Sequence, residues 1–150
     1  MIQVHIRPAV REDMHEVISM IKELAGFERA ADQVQLRAED LEADGFDKKA
    51  FEVLVAELKG EIVGMAFFYP RYSTWKGPTL YLEDLIVKEE FRNQGIGSRL
   101  FARVKDLSKE RSAARMEWQV LDWNEGAIRF YEEQGAEFEK EWVNCKIAFK

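Results

Sequence analysis

The chain has 150 residues, of which 47% are hydrophobic and 33% charged, with a formal net charge of −6. One domain with its own core is expected over residues 1–150, and the composition excludes a disordered chain. No apolar run approaches the roughly 18 residues of a membrane span, and the acidic balance argues against a nucleic-acid partner while suiting a cationic ligand.

The first residues, Met-Ile-Gln-Val-His-Ile-Arg-Pro, enter a strand pattern directly and lack the apolar segment of a signal peptide, so a cytoplasmic location is expected. A single cysteine, Cys145, allows no internal disulfide and no cysteine metal cluster, and its alternation with Val143, Ile147 and Phe149 predicts a buried strand thiol. His5 and His15 lack ligand spacing, and no metal is expected.

A strand over residues 4–7 is stopped by Pro8. Met14, Val17, Ile18, Ile21, Leu24 and Ala25 then recur at helical spacing, with Glu12 and Asp13 at the positive end. A short helix over residues 38–44 is expected to end at Gly45 as a left-handed cap. Residues 51–58 and 62–68 form a hairpin about Lys59-Gly60-Glu61. A strand over 80–87 leads through a loop to a helix over about 98–111, then a strand over 116–121. Asn124 caps a helix over 125–134 that Gly135 closes, and a last antiparallel strand covers 142–149. The unit from 80 to 121 must be parallel and right-handed, whereas the other pairings are antiparallel. The expected class is α/β, a mixed and mostly antiparallel sheet with one parallel β-α-β unit and helices on both faces.

Two constellations carry chemistry. Leu-Tyr-Leu-Glu-Asp-Leu-Ile-Val ends a strand with two carboxylates inside it, followed by Arg92-Asn93-Gln94-Gly95-Ile96-Gly97-Ser98 at a helix start. Unpaired amides, the helix dipole and missing Cβ atoms make a phosphate cradle there, although Gly-x-Gly also serves as a plain tight turn. The ending Gly-Lys-Ser/Thr of a nucleoside-triphosphate loop is absent, as is the third glycine of the dinucleotide fingerprint. The second constellation is Asp122-Trp123-Asn124, then Ala127, Ile128, Phe130 and Tyr131 on one helix face, then Gly135-Ala136.

Together these segments resemble the acetyl-CoA motifs of the GNAT N-acetyltransferase superfamily. Ile6-Arg7-Pro8-Ala9, Lys22-Glu23-Leu24-Ala25, Asp32-Gln33-Val34, Ala43-Asp44-Gly45-Phe46, Leu54-Val55-Ala56-Glu57, Tyr72-Ser73-Thr74-Trp75-Lys76-Gly77 and Tyr81-Leu82-Glu83-Asp84 extend the match. With Val120-Leu121-Asp122-Trp123-Asn124, they make the chain similar to the diamine (spermidine/spermine) and thialysine acetyltransferase group. It is closer to the thialysine type: polyamine members carry an acidic residue at the place of Ser73 and Ala-Glu-Trp-Asn at that of Leu121-Asp122-Trp123-Asn124.

The resemblance implies a GNAT fold with a bulge in the 80–87 strand, splaying it from the 116–121 strand. It implies acetyl-CoA as co-substrate, its pantetheine on the backbone of Leu85, Ile86 and Val87. The pyrophosphate would lie on the loop of Arg92, Asn93, Gln94, Gly95, Ile96, Gly97 and Ser98, with Asn124, Glu125, Gly126, Ala127 and Tyr131 on the other wall. For the amine it implies Phe27, Glu28, Ser73, Glu83, Asp84, Glu117, Trp118, Gln119 and Glu141, and for assembly a homodimer. Glu83 is then the base, through a water, and Tyr131 the acid on the departing sulfur.

Both assignments face a free-energy question. An amine with a pKa of about 10.4 must lose a proton to a carboxylate ordinarily near 4.3, so burial beside Asp84 is expected to raise Glu83, with Asp84 left ionised to hold the cation. Phenol at about 10 against a thiol at about 8.5 is roughly 2 kcal/mol uphill, which is tolerable when protonation accompanies C–S cleavage. The acceptor implied is thialysine or a lysine-like small amine; a polyamine is the alternative. A CoA-binding regulator without turnover fits the retained Glu83 and Tyr131 less well, and a protein acceptor fits Phe27-Glu28 and residues 72–77 less well.

Overall fold

The structure, a computed structural model, describes residues 3–150. Its contacts divide the chain into two units, Met1–Gln119 and Val120–Lys150. In the first, β1 (His5–Pro8) leads to α1 (Met14–Phe27) and a short α2 (Ala38–Glu42), followed by β2 (Glu52–Leu58), β3 (Glu61–Ser73), β4 (Gly77–Val87), α3 (Ile96–Glu110) and β5 (Met116–Glu117). The sheet order is β1-β2-β3-β4-β5, antiparallel except for the parallel pair β4–β5, so the mixed sheet expected from the sequence is present.

Strand alternation feeds two separate cores. Val53, Val55, Met65 and Phe67 meet Met14, Val17, Ile18 and Met20 of α1 and Leu41 of α2. The intervening residues serve the other face: Leu100 and Ile96 of α3 lie over Gly64, and the Arg111 guanidinium sits 6.0 Å from the Phe68 ring centre. A Cβ at Gly64 would come within 3.0 Å of the Ile86 carbonyl oxygen and 3.2 Å of Leu100, so glycine lets α3 approach the sheet.

Several boundaries differ from the sequence reading. Gly45 is not a left-handed cap; it lies in a π-helical turn, Ala43–Asp47, that prolongs α2. Its missing side chain is needed for packing, since a Cβ there would stand 2.6 Å from Cζ of Phe51, whose ring stacks on Phe67 at 4.1 Å. The β3–β4 hairpin is longer than expected, continuing through Pro70↔Leu80 and Tyr72↔Pro78 to Ser73↔Gly77. Helix α3 starts two residues early, with Gly95 at φ 83° as its N-cap. The strand expected over 116–121 keeps only two ladder residues.

The second unit contains α4 (Glu125–Glu133), which Asn124 caps by accepting from the Ala127 N–H at 3.2 Å and Gly135 closes at φ 84°. Residues 142–149, expected as a strand, belong to none of the strands among the described residues and are exposed. Cys145 is therefore an exposed thiol, not a buried one. Alternation encodes which side chains share a face, but a strand also requires a partner.

The bulge implied for the 80–87 strand is present. Register runs Met65↔Ile86, Ala66↔Leu85 and Phe67↔Asp84, then skips to Phe68↔Leu82, leaving Glu83 as the extra residue. The skip reverses the alternation of β4. Asp84 and Ile86 stand on the α1 side with Phe67 and Met65, whereas Leu82 stands with Phe68 on the α3 side.

Candidate active site

In a regular strand, consecutive carboxylates point to opposite faces. The bulge cancels that rule. Asp84 lies opposite Phe67, and Glu83 reaches Tyr69, two residues along on the same face of β3, whose hydroxyl donates to Oε1 of Glu83 at 2.8 Å. The two acids therefore share one face. Helix α1 ends over this side; Arg29 at φ 61° closes it with its N–H on the Gly26 carbonyl, leaving Glu28 half-buried.

The electrostatics follow from this crowding. Asp84 is half-buried, and desolvation first, then the charges of Glu83 and Glu28, push its pKa up to about 7. Burial likewise raises Glu28. Tyr69 is pushed up to about 12 by desolvation and by its bond to Glu83, so it stays a proton donor in that bond. Asp84 is thus a carboxyl tuned toward neutral pH. Tyr81 leans on Tyr69 at 5.5 Å between ring centres and lies under the Arg71 guanidinium at 4.6 Å. Tyr69 was not among the site residues expected from the sequence, because residues 69–73 carry no buried alternation to mark them as strand.

At the other end of β4, the chain passes through the turn Glu89–Phe91 into the loop. Asn93 at φ 62° and Gly95 at φ 83° coil the backbone, and the first helical bond runs from the Arg99 N–H to the Gly95 carbonyl at 3.1 Å. The amides of Ile96, Gly97 and Ser98 are left as the unpaired donors of the helix start, with no acidic side chain in the first turn. A Cβ at Gly97 would meet only Val87, at an ordinary 3.7 Å, so the space beyond it is open. These features fit a pyrophosphate. Arg92 ties loop to strand, its Nε donating to the Val87 carbonyl at 2.9 Å and its Nη2 lying 3.4 Å from Glu23.

The β4–β5 ladder contains only Leu80↔Met116 and Tyr81↔Glu117. From Leu82 to Val87, β4 has no ladder partner on that side among the described residues, which suits an extended ligand arm along Leu85, Ile86 and Val87. The remaining expected residues are placed as follows. Phe27 is half exposed at the end of α1. Ser73 closes the hairpin tip, its Oγ accepting from the N–H groups of Trp75 at 3.2 Å and Lys76 at 3.1 Å. Glu117 pairs with Arg115 at 3.2 Å, Trp118 packs edge-on against Phe101 at 5.1 Å, and Gln119 is exposed. In the second unit, Glu125 and Gly126 open α4, Tyr131 packs edge-on against Phe130 at 5.3 Å, and Glu141 is exposed.

Comparison with known proteins converges on one family. The acetyltransferase (GNAT) family pattern matches residues 14–136. Thialysine N-epsilon-acetyltransferase of Bos taurus is 41% identical over 143 residues, covering 89% of this chain and 84% of its own. Spermidine/spermine N(1)-acetyltransferase-like protein 1 of Homo sapiens is 35% identical over 139 residues, which is 87% of this chain and 20% of that longer one. Among solved structures, an aminoglycoside acetyltransferase from an uncultured soil metagenomic sample superposes with a TM-score of 0.80 at 22% identity, covering 98% of this chain and 97% of its own.

Proposed function

The chain belongs to the acetyltransferase (GNAT) family, and from that premise we propose that it carries the acetyl group of acetyl-CoA to the primary amine of a small molecule, thialysine or a lysine-like amine. The observation that carries the reading is the bulge at Glu83, which gathers Glu83 and Asp84 onto one face beside Glu28, on the strand that runs into the amide-rich start of α3. Three acids suit an ammonium, and the open amides suit the anionic end of the co-substrate. The thialysine enzyme that shares 41% of residues supports the choice of acceptor.

Acetyl-CoA supplies an activated acyl group; the chain's residues hold it and move protons. Leu85, Ile86 and Val87 offer backbone to its arm, and residues 93–98 offer amides to its pyrophosphate, with Asn124, Glu125, Gly126 and Ala127 assigned to it by family pattern. Glu83 takes the ammonium proton through a water while Asp84 holds the acceptor cation, the freed nitrogen attacks the thioester carbonyl, and Tyr131 gives the departing sulfur its proton. Phe27, Glu28, Ser73, Glu117, Trp118, Gln119 and Glu141 are assigned to the acceptor on the same basis.

The two units are read as one acetyltransferase domain, because the family match runs across residue 119 without a break. A cytoplasmic homodimer is proposed as the working form. Its dimer part rests on the family resemblance, and sedimentation equilibrium tests it. Thiol release from acetyl-CoA with a panel of free amines tests the function. Turnover with thialysine or lysine-like amines is expected; preference for spermidine would favour the polyamine reading, and no turnover with any amine would leave a CoA-binding protein.

A further inference from the structure

We propose that Arg71 is a specificity residue of the acceptor site: its guanidinium takes the carboxylate of an amino-acid acceptor, while the acids at the bulge take that acceptor's remote ammonium. The inference rests on the acetyl-transfer reading above. It names the feature the site selects, a carboxylate carried one side-chain length from the reacting nitrogen.

Register puts Arg71 on the acid face. Tyr69 lies opposite Tyr81 and Arg71 opposite Thr79, so Tyr69 and Arg71, two residues apart on β3, share the face of Phe67 and its partner Asp84. Contacts along this face form one row. The Tyr69 hydroxyl donates to Glu83 at 2.8 Å, the Tyr69 and Tyr81 rings lie 5.5 Å apart, and the Arg71 guanidinium stands 4.6 Å over Tyr81. Its charge acts on both phenols, against the rise that desolvation imposes on each. The row has an anion at one end and a cation at the other.

That cation has no protein anion of its own. Among the described residues Arg71 makes no hydrogen bond and no ion pair. The carboxylates beside the row are engaged elsewhere: Glu83 accepts from Tyr69, and Glu117, opposite Tyr81 on β5, pairs with Arg115 at 3.2 Å. Contact with an aromatic ring spends none of the guanidinium's N–H donors, so the fork that grips a carboxylate with two parallel bonds stays open. Arg71 is exposed, so a solute can reach it.

The spacing fits the acceptor. Same-face residues two apart on a strand stand about 7 Å from one another. A lysine-like acceptor puts about five atoms between its terminal nitrogen and its carboxylate carbon, a reach of the same order at roughly 1.5 Å per bond. With the ammonium at Glu83 and Asp84, the carboxylate arrives at Arg71. A polyamine brings a second ammonium to that place and meets a like charge. Arg71 therefore favours one acceptor class and works against the other.

The test measures kcat/KM for thialysine, for its carboxamide, which keeps the length and loses the charge, and for spermidine. Circular dichroism and acetyl-CoA calorimetry establish that each variant is folded and binds the co-substrate. The wild type should prefer thialysine to the carboxamide by about 10- to 100-fold, mostly through KM. Arg71→Gln should bring that ratio to within about threefold of one and raise kcat/KM for spermidine about three- to tenfold. Arg71→Lys should keep part of the preference, because the charge stays and the fork is lost. A merely structural role would lower both thialysine and carboxamide turnover and leave their ratio alone. A wild type that treats the two equally, or an Arg71→Gln variant that keeps the wild-type ratio, overturns the assignment and leaves acetyl transfer standing. Release of no thiol with any amine instead removes the acetyl-transfer reading, and with it the acceptor that Arg71 would select.

Discussion

The Tyr69 hydroxyl donates to Glu83 Oε1 at 2.8 Å, across a register skip that leaves Glu83 without a partner on β3. A bulged residue has lost its ladder bonds, so the side chain needs another restraint to keep one direction. Tyr69→Phe removes that restraint and leaves the ring contact with Tyr81. Water can replace the hydroxyl at an exposed carboxylate, so the cost is one of position. KM for the amine should rise about three- to tenfold with a smaller change in kcat, which is near 1 kcal/mol of ground-state binding. Steady-state kinetics with unaltered KM would show that Glu83 is held by other means.

Tyr131→Phe deletes an oxygen and retains the ring packed on Phe130 at 5.3 Å. If the phenol is the acid, kcat should fall by about 10- to 1,000-fold while acetyl-CoA affinity changes little, since only a transition-state interaction is lost. An unchanged kcat at neutral pH would return Tyr131 to a purely packing role.

Gly97→Val places a branched side chain at the start of α3, where a Cβ meets only Val87 at 3.7 Å. The fold has room for it, so thermal stability should fall by no more than about 1 kcal/mol. Acetyl-CoA affinity should drop about tenfold or more, because the side chain stands over the amides meant for phosphate. Calorimetry on the folded variant with wild-type affinity would locate the cradle elsewhere.

Asp84 also makes a prediction that needs no substrate. Its folded pKa of about 7 lies above the ordinary aspartate value, so the folded state prefers the proton more than the unfolded chain does. The penalty is fully present above pH 7 and fades as pH falls toward 4. Asp84→Asn should therefore melt higher than the wild type at pH 8, with the advantage shrinking toward pH 4. Asp13 runs the other way: its bonds to Arg7 and the Val10 N–H lower its pKa against the cost of burial, so its contribution is lost on acidification. Equal melting curves for wild type and Asp84→Asn at pH 8 would mean Asp84 is not desolvated.

Much of the first unit was legible because its periods are clean. Met14, Val17 and Ile18 mark the buried face of α1, and Lys59-Gly60, both at positive φ, give the two-residue turn that a hairpin twist favours. The acid pair was legible as residues but not as geometry. Leu-Tyr-Leu-Glu-Asp-Leu-Ile-Val is apolar on both sides of the acids, so the phase reversal at Glu83 leaves no trace in the pattern. Tyr69 was missed because its strand segment is largely exposed, and the titration of Asp84 depends on Glu28, distant in sequence. Residues 142–149 show the converse case, a strong alternation whose apolar side chains are exposed.

Ser73→Asp tests what the acceptor site selects. Ser73 Oγ closes the β3–β4 turn by accepting from the Trp75 and Lys76 N–H groups, and an aspartate carboxylate can accept from both in the same Asx geometry. The substitution thus adds one negative charge and preserves the turn. A polyamine brings several cations and gains from each added carboxylate, whereas thialysine brings one remote ammonium and a zwitterionic head that gains little. For partly screened charges the gain is about 1 kcal/mol, so kcat/KM for spermidine should rise about three- to tenfold while that for thialysine stays within about threefold. The difference should shrink at high salt. Equal responses of the two substrates would mean position 73 does not face the acceptor, and the preference for a lysine-like amine would then have to come from Arg71 and the acids Glu28, Glu83 and Asp84 alone.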